Sequence, residues 1–422
     1  MQNKIFIQIL YLVAFLIVPN FVKAADKMLQ SSDLTYLGAF RVPSGTFGGS
    51  GDAYTFDYGG RGLAYNPINN SLYVTSHAKN GGYIGEMNIP AIVNSSNINS
   101  LNTATMRQDF VDGWAGTFGD IGAGGTYVSG GGEGSRVGGI LYNGNKLVIS
   151  QYVYYDVDFL GALSHASMNS NWTANGVGFS GMKTVGAANA ETVGQIAGYM
   201  TWIPSSWRTA MGGPALTGLA NVSIITRSSY GPSAWVFDPE QIGVTNPISA
   251  TQVVGYPDSH FTLGVFSGSN QYISSSDQIG GVVWPEGSST IMFFGKHGTT
   301  YCYGGVPPCV DPTNGYSGTH GYPYLYYVWA YDANDLVAVK NGTLNPWDLT
   351  PVWVHDLTPD FNGIEAGDNN ILGAAYDETN KKLYISAEKA EHPRTIIHVF
   401  NINVTTPNDT TAPSAPSGLS VL

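Results

Sequence analysis

The chain has 422 residues and a formal net charge of −12 at pH 7. This balance argues against a nucleic acid partner, because binding to phosphates requires clustered Lys and Arg. It does not exclude an acidic sugar polymer, which a local basic pocket could still bind. With 54 Gly, 26 Tyr and only 11% charged residues, the composition predicts many turns and much aromatic surface rather than long helices.

The first 24 residues have the pattern of a signal peptide. Lys4 precedes an apolar run over residues 5–18, and small residues at Ala24 and Ala25 offer a cleavage site. The mature protein is therefore expected to be secreted or held at the cell surface. No later apolar run approaches the length that crosses a bilayer, so no membrane span is expected.

A strand, turn and strand pattern is clearest over residues 60–90. A short apolar run turns on Asn66 and Pro67, re-enters a β-rich run, and continues through a loop with His77 into a third strand. Similar units begin near residues 138, 195, 280 and 372. Within the third unit, residues 201–213 are predicted to form a short helix and residues 222–227 the second strand.

Four further segments fit a fourth, outer strand in these units: residues 106–111, 182–185, 251–256 and 351–357. The last unit lacks one, and the N-terminal segment 34–43 has the right pattern to supply it. Four-stranded units closed by a strand from the other terminus indicate a β-propeller. The sequence therefore predicts an all-β fold over residues 25–404, a propeller with five blades. Six or seven blades remain open, because the units are longer than the typical 40 to 50 residues.

Residues 405–422 shift to Thr, Pro, Ser and Ala, the composition of a linker. The closing APSAPSGLSVL resembles the opening strand of fibronectin type III modules in secreted bacterial enzymes. The resemblance implies a further C-terminal module in a longer parent chain.

Two cysteines, Cys302 and Cys309, lie close together in a chain that is expected to be exported. They are predicted to form a disulfide that pins a long loop. Two thiols alone do not suggest a metal-thiolate site.

In a propeller, the loop before the first strand and the loop after the second strand of each blade open on the same face. This arrangement predicts that five of the eight histidines of the chain gather on that face. They are His77, His165, His297, His320 and His392. The predicted substrate-binding residues are His77, Arg136, Tyr154, Arg227, Lys296 and His392. The predicted catalytic residues are Tyr230, His297, His320 and Tyr322.

Arg, His and Tyr together suit β-elimination on a polysaccharide that contains uronates. Arg227 or Lys296 would neutralise the carboxylate, His297 or His320 would act as base, and Tyr230 or Tyr322 as acid. In its exported propeller, funnel residues and trailing module, the chain resembles secreted bacterial propeller-type polysaccharide lyases. The resemblance implies an extracellular polysaccharide as partner and no required cofactor, and it assigns no catalytic residue.

Two other functions stay open. A glycoside hydrolase would need two carboxylates across the scissile bond, and the candidates are Glu133, Asp277, Asp368 and Glu388. A non-catalytic sugar-binding or adhesion propeller would also suit the aromatic content. A metal bound by His77, His297 and His320, or a Ca²⁺ site, is open as well, but no tight ligand spacing favours either.

Overall fold

A computed structural model describes residues 26–132, 134–156, 158–186, 194–223, 229–265, 268–300, 321–366 and 369–405. In chain order, the strands are β1 Leu34–Arg41, β2 Ala64–Asn66, β3 Ser71–Thr75, β4 Ile84–Asn88, β5 Thr105–Val111, β6 Ser135–Asn143, β7 Lys146–Val153, β8 His165–Asn169, β9 Met200–Trp202, β10 Ala215–Thr217, β11 Ala234–Phe237, β12 Ala250–Val254, β13 Gln278–Val283, β14 Thr290–Gly298, β15 Tyr324–Asp332, β16 Trp353–Asp356, β17 Ile371–Asp377, β18 Lys382–Glu391 and β19 Arg394–Ile402. The short α-helices between strands include α1 Arg208–Met211 and α2 Ala333–Lys340.

The strands form five antiparallel sheets, which are the five blades of a propeller. Blade 1 is β2 to β5, blade 2 is β6 to β8, blade 3 is β9 to β12 and blade 4 is β13 to β16. Blade 5 has the order β17, β18, β19 and β1, so the N-terminal strand is its outer strand. The first strands of neighbouring blades contact one another all the way around, from β2 through β6, β9, β13 and β17 back to β2. The predicted five-bladed ring closed by the N-terminal segment is confirmed.

Two local strand predictions need correction. In blade 3 the second strand is β10 rather than residues 222–227. The reason is that Gly212 ends α1 in a left-handed conformation with φ 74°, and the chain then returns directly to the sheet. Val222 makes only an isolated bridge to Gln278. In blade 2 the predicted outer strand is reduced to a bridge between His165 and Lys183. The helix expected within residues 201–213 is present as α1.

Close backbone packing closes the axis of the ring. A side chain at Gly138 would overlap the backbone of Ala197, and one at Gly280 would overlap Ile371. The cavity left at this level is about 10 Å³, no more than a single water molecule needs. Glycine is required here because the first strands approach one another too closely for a Cβ atom. We refer to this closed level as the waist.

Apolar side chains fill the space between blades. Trp329, Phe293 and Tyr331 are almost fully buried beside blade 3, and Tyr384 and Val399 pack in the cluster shared by blades 1 and 5. Among the residues that the structure describes, no helix is long and apolar enough to cross a bilayer. The rigid blades therefore leave the two ends of the first strands as the places where loops meet around the axis.

Candidate functional site

A cavity of about 420 Å³ opens on the axis at the end where the first strands begin. We call it the cationic funnel. It is lined by Tyr58, Arg61, His77, Ala78, Lys79, Arg136, Tyr154, Val222, Gln278, Lys296, Asn370, Glu388 and Lys389. All five blades contribute to it, since residues at the start of each first strand and the end of each second strand point to one face, as the repeat pattern predicts.

Charge distinguishes this cavity from the rest of the chain. Five of the 18 Lys and Arg line it, namely Arg61, Lys79, Arg136, Lys296 and Lys389. Glu388 is the one carboxylate among the described lining residues. In a chain with a net charge of −12, this concentration makes a local site of the opposite sign, which favours anionic ligands.

Arg61 is a buried cation in the lining of the funnel. It is 7% exposed, and its Nη1 donates to the Tyr152 hydroxyl at 3.1 Å. Burial opposes the charge, but Tyr152, Glu388 and Tyr154 outweigh it and raise the pKa of Arg61 above its usual value. Its buried Nε has no hydrogen-bond partner within the described part of the chain. Arg61 therefore keeps a fixed positive charge and an unused donor in the lining of the cavity.

Asn370 adds an unused acceptor beside this guanidinium. Its Nδ2 donates to Glu388 Oε2 at 2.8 Å and to Gln278 Oε1 at 3.3 Å, which fixes the orientation of the amide. Its Oδ1 is buried and finds no partner among the described residues. Buried polar groups are normally paired, so an unpaired donor and acceptor in one cavity suggest that a ligand or water completes them.

Two more cations are held over aromatic rings. The guanidinium carbon of Arg136 is 4.8 Å from the centre of the Tyr154 ring, and Nζ of Lys296 is 4.5 Å from that of Tyr324. Arg136 also donates to the carbonyl of Ser135 at 3.0 Å. Both cations line the funnel, so their charges can interact with an anionic group of a ligand there.

The rim of the funnel is formed by Tyr58 and its neighbours. Tyr58 and Lys389 both have left-handed backbones, with φ of 53° and 54°. The Tyr58 ring is 5.5 Å from the His77 ring and 5.9 Å from the His392 ring, and Lys389 Nζ is 6.0 Å from it. Bulky residues rarely adopt this conformation, and such strain occurs most often at functional sites.

His77 has a defined tautomer when it is neutral. Its Nδ1 accepts the backbone N–H of Lys79 at 3.1 Å, so the proton of the neutral ring is on Nε2. Burial lowers the pKa of His77 below 6.5, and the charge of Arg136 lowers it further, against the opposing effect of Asp52 and Asp57. At neutral pH the ring is an uncharged hydrogen-bond donor through Nε2.

The predicted gathering of histidines is only partly observed. His77 and His392 are at the rim, but His165 and His297 are buried inside the blades. His165 begins β8, where its ring lies between Ser164 and Thr217, and burial lowers its pKa to about 3. Both rings are satisfied by neighbouring protein groups, which leaves them outside the funnel.

His297 shares β14 with Lys296 but lies on the other face of the strand. Its Nδ1 is 2.9 Å from Asp277 Oδ2, and its ring stacks on Tyr327 at 4.6 Å. Burial opposes protonation, but Asp277 outweighs it and raises the pKa of His297. Asp277 also accepts from backbone N–H groups of Ser274 and Gly298. The pair is therefore built into the blade and not into the cavity.

The other predicted site residues divide as follows. Arg136, Tyr154, Lys296 and His77 line the cationic funnel. Tyr230 is 7% exposed and packs in the blade 3 cluster beside Phe261, while Tyr322 is partly buried at the foot of β15 and does not line the funnel. Arg227, His320, Cys302, Cys309, Glu133 and Asp368 lie outside the described residues.

Tyr58, Gln278 and Asn370 line the funnel although the sequence did not single them out. Asn370 directly precedes β17, in the same relation to its blade as the loop that carries Arg61 has to β2. This position in the repeat could have identified Asn370 from the sequence. The left-handed backbone of Tyr58 has no signature in the sequence.

No group of three or more His, Cys, Asp or Glu side chains in the described ranges is placed to hold a metal ion. His77 lines the funnel, whereas His297 is buried inside its blade. These two residues therefore do not form one metal site, as the prediction that combined them with His320 required.

No protein-family profile matches the chain, and no curated protein matches it in sequence. Similar solved structures include a glycosyl hydrolase from Bacteroides ovatus, with 10% identity, a TM-score of 0.43, and coverage of 89% of this chain and 93% of that one. The β-propeller domain of Cps50 (Swd1) from Myceliophteria thermophila has 6% identity and a TM-score of 0.33, covering 88% and 100%. A member of the DUF4221 family from Bacteroides vulgatus has 10% identity and a TM-score of 0.34, covering 88% and 98%. Similarities this distant do not bear on what the chain does.

Proposed function

We propose that the protein binds an extracellular polysaccharide with uronate carboxylates in the cationic funnel and cleaves it by β-elimination. The observation that carries the proposal is the convergence of five cations from four blades on one cavity of an acidic chain. The seclusion of Arg61, with an unused donor, adds a point at which a carboxylate can be held.

Binding of a polyanion follows from the charge and the shape of the cavity. Arg136 and Lys296 come from blades 2 and 4, which are not adjacent in the ring, so together they can contact successive charged units of one polymer. Tyr58 and Tyr154 add aromatic surface on which sugar rings can pack. Since Lys79, Lys296 and Lys389 are at least partly open to solvent, their contribution depends on ionic strength.

The chemistry required of the site is a proton transfer beside a neutralised carboxylate. Pairing the uronate with a cation acidifies the proton on C5 of the sugar. The C5–H and C4–O4 bonds then break, a C4=C5 double bond forms, and the proton is delivered to the leaving O4. No oxidant, reductant or water is consumed.

Tyr154 is the residue best placed for that proton transfer. Its ring lies under Arg136, so a carboxylate bound by Arg136 would bring the sugar to the phenol. His77 complements it, because the Nε2–H of the neutral ring can hydrogen-bond the leaving oxygen. The proposal thus moves the catalytic role from His297 and Tyr230, which are buried in the blades, to Tyr154 and His77.

Hydrolysis would require a second carboxylate across the scissile bond. Glu388 is the one carboxylate among the described residues of the funnel, and Asp277 is 1% exposed and bound to His297. The other two candidates, Glu133 and Asp368, lie outside the described residues. Hydrolysis is therefore the alternative to elimination, and the products of the reaction distinguish the two.

Incubation with uronate-containing and neutral polysaccharides tests the proposal. We expect ultraviolet absorbance from an unsaturated product, together with new reducing ends, on a uronate polymer only. Tyr154→Phe keeps the ring under Arg136 and should lower kcat by about 10²-fold or more while binding is retained. Phe261→Leu, a change on an exposed ring that does not line the funnel, serves as control.

Reducing ends without absorbance would overturn elimination in favour of hydrolysis. Binding of the polymer with neither signal would leave a carbohydrate-binding protein. An unchanged kcat in Tyr154→Phe would remove this residue from the chemistry.

A further inference from the structure

We propose a second carbohydrate site on the opposite face of the ring, one that binds a neutral sugar unit. It goes beyond the proposed function and does not rest on it. The site is a cavity of about 230 Å³ where the first strands end, which we call the aromatic funnel. Its rings are Tyr65, Tyr142, Trp202, Trp284 and Tyr376.

The five rings come from all five blades, at matching positions near the ends of β2, β6, β9, β13 and β17. Beneath them the floor is made of small and aliphatic residues, including Ile140, Met200 and Ala374. Sites for small neutral ligands are typically apolar, aromatic-lined cavities with few polar groups. A sugar has this dual character, since its ring faces carry C–H groups and its edges carry hydroxyls.

Several of these rings are held rigidly by contacts at their edges. The Trp202 indole donates to the carbonyl of Tyr142 at 3.0 Å, and the Trp284 indole donates to the carbonyl of Ser288 at 3.0 Å. The Tyr65 ring stacks on Tyr384 at 6.0 Å. A preorganised aromatic wall binds with little loss of side-chain entropy.

One polar group in the wall is left unsatisfied. The Tyr376 hydroxyl is shielded from solvent and has no hydrogen-bond partner within the described ranges. Thr201 and Thr379 supply further hydroxyl groups to the lining. A sugar hydroxyl can both donate and accept, so it would satisfy a lone phenol in an otherwise apolar cavity.

Charge at the mouth selects against acidic sugars. Asp377 and Glu378 line the aromatic funnel, and its described lining contains no Lys, Arg or His. Asp377 is buried and accepts from the backbone N–H of Thr379, so Glu378 is the carboxylate that is open to solvent. Glu378 accepts from the backbone N–H of Glu286 at 3.0 Å and lies 3.3 Å from Nζ of Lys381. Carboxylates accept hydrogen bonds from neutral sugar hydroxyls and repel uronates. The ligand class is therefore a neutral glycan.

The cavity volume equals roughly eight waters at bulk density, which is room for about one sugar unit. The waist separates this cavity from the cationic funnel, because its glycine packing leaves only about 10 Å³ on the axis. The two sites therefore act independently, one on each face.

Titration calorimetry with neutral hexasaccharides of β-1,4-glucan, β-1,4-xylan, β-1,4-mannan and α-1,4-glucan tests this site on the full chain. We expect at least one to bind, and Trp202→Ala to weaken it by about tenfold or more. Thr379→Arg places a long side chain at the exposed mouth without removing a ring, so it should also weaken binding if the fold is intact by thermal melting. Tyr127→Ala, at an exposed ring that lines neither funnel, should leave neutral binding unchanged. Lys296→Ala, which changes the cationic funnel alone, should also leave neutral binding unchanged.

The proposal is overturned if none of the four hexasaccharides binds the wild-type protein. It is also overturned if Lys296→Ala weakens neutral binding as much as Trp202→Ala does, because the sugar would then occupy the cationic funnel. Choline is included because aromatic rings and carboxylates also accept quaternary ammonium ions. If choline binds, Trp202→Ala weakens that binding and no sugar binds, the ligand of this site is a quaternary ammonium ion rather than a neutral glycan.

Discussion

The two funnels are built on the two ends of the same five strands, yet they have opposite character. Where the first strands begin, five cations surround one carboxylate, and where they end, five aromatic rings surround two carboxylates. Each blade contributes its first strand to both ends. The difference arises from the side chains that each end presents.

This contrast shows how one ring can present two chemically different surfaces. At the cationic funnel the ends of the strands present long charged side chains such as Arg136 and Lys296, whose cations lie over aromatic rings. At the aromatic funnel the rings themselves come to the surface on tight hairpin turns such as the one after Tyr376. Between the two, backbone packing at the waist prevents a ligand from passing through the axis.

Removal of charge from one funnel should give the largest effect. We expect the double variant Arg136→Gln, Lys296→Ala to bind a uronate polymer about 100-fold more weakly, since each charged hydrogen bond contributes about 1.5 to 3 kcal/mol. The measurement is calorimetry at two ionic strengths, and the dependence on salt should fall as well. Neutral binding at the aromatic funnel should stay constant.

The matched control is Arg107→Gln with Lys146→Ala, which removes the same net charge from two residues that do not line either funnel. If both double variants weaken polymer binding equally, overall charge rather than the funnel governs the interaction. The difference in charge between the two funnels would then not explain where the polymer binds.

A methyl group at the waist should lower stability. Gly280→Ala would force its Cβ into the backbone of Ile371, and overpacking of this kind costs about 1 to 3 kcal/mol in the free energy of unfolding. Denaturant titration measures this loss. Gly85→Ala is the comparison, because its added Cβ would meet side chains of Met106 and Phe110 at 2.8 Å, which can move. Equal stability of Gly280→Ala and wild type would show that the waist is not tightly closed.

The ring was predictable from sequence because each blade repeats a local pattern of apolar strand, polar turn and apolar strand. The closing role of β1 followed from a strand pattern at the N-terminus and a missing outer strand in the last unit. The place of the funnel followed too, since the connections alternate between the two ends of each sheet. These features depend on local residue types and on topology, both of which the sequence carries.

Individual site residues were harder to predict, for two physical reasons. Neighbouring residues on a strand point to opposite faces, so Lys296 could line the funnel only if His297 lay inside the blade. The third strand of blade 2 was not predicted, and His165, which was predicted to lie in a loop, is the first residue of that strand, β8. The aromatic funnel was not predicted, because site residues were inferred from the positions of histidines and the turns at this end carry none. The rings of this funnel lie before those turns, near the ends of the first strands.

Glu388→Gln distinguishes elimination from hydrolysis and sharpens the charge contrast. Its amide can still accept from Asn370 Nδ2, so the local structure should be retained. Loss of a negative charge near the polymer should strengthen binding by about two- to fivefold, and the unsaturated product should still form. Glu365→Gln, at an exposed residue that does not line the funnel, is the control. Loss of all cleavage in Glu388→Gln alone would favour a carboxylate-dependent hydrolase.

The smallest effect concerns the pKa of His77. Burial lowers it below the ordinary value of 6.5, and Arg136 lowers it further, because a positive neighbour disfavours the imidazolium. Arg136→Gln should therefore raise the pKa of His77, and Asp57→Asn should lower it, since Asp57 favours the charged ring. A titration followed by NMR of the imidazole signals measures both, with Arg107→Gln as control.

As pH falls through this pKa, Nδ1 becomes protonated and cannot accept the N–H of Lys79. The amide signal of Lys79 should thus shift with the same midpoint, and a wild-type midpoint above 6.5 would contradict the electrostatics of the cationic funnel.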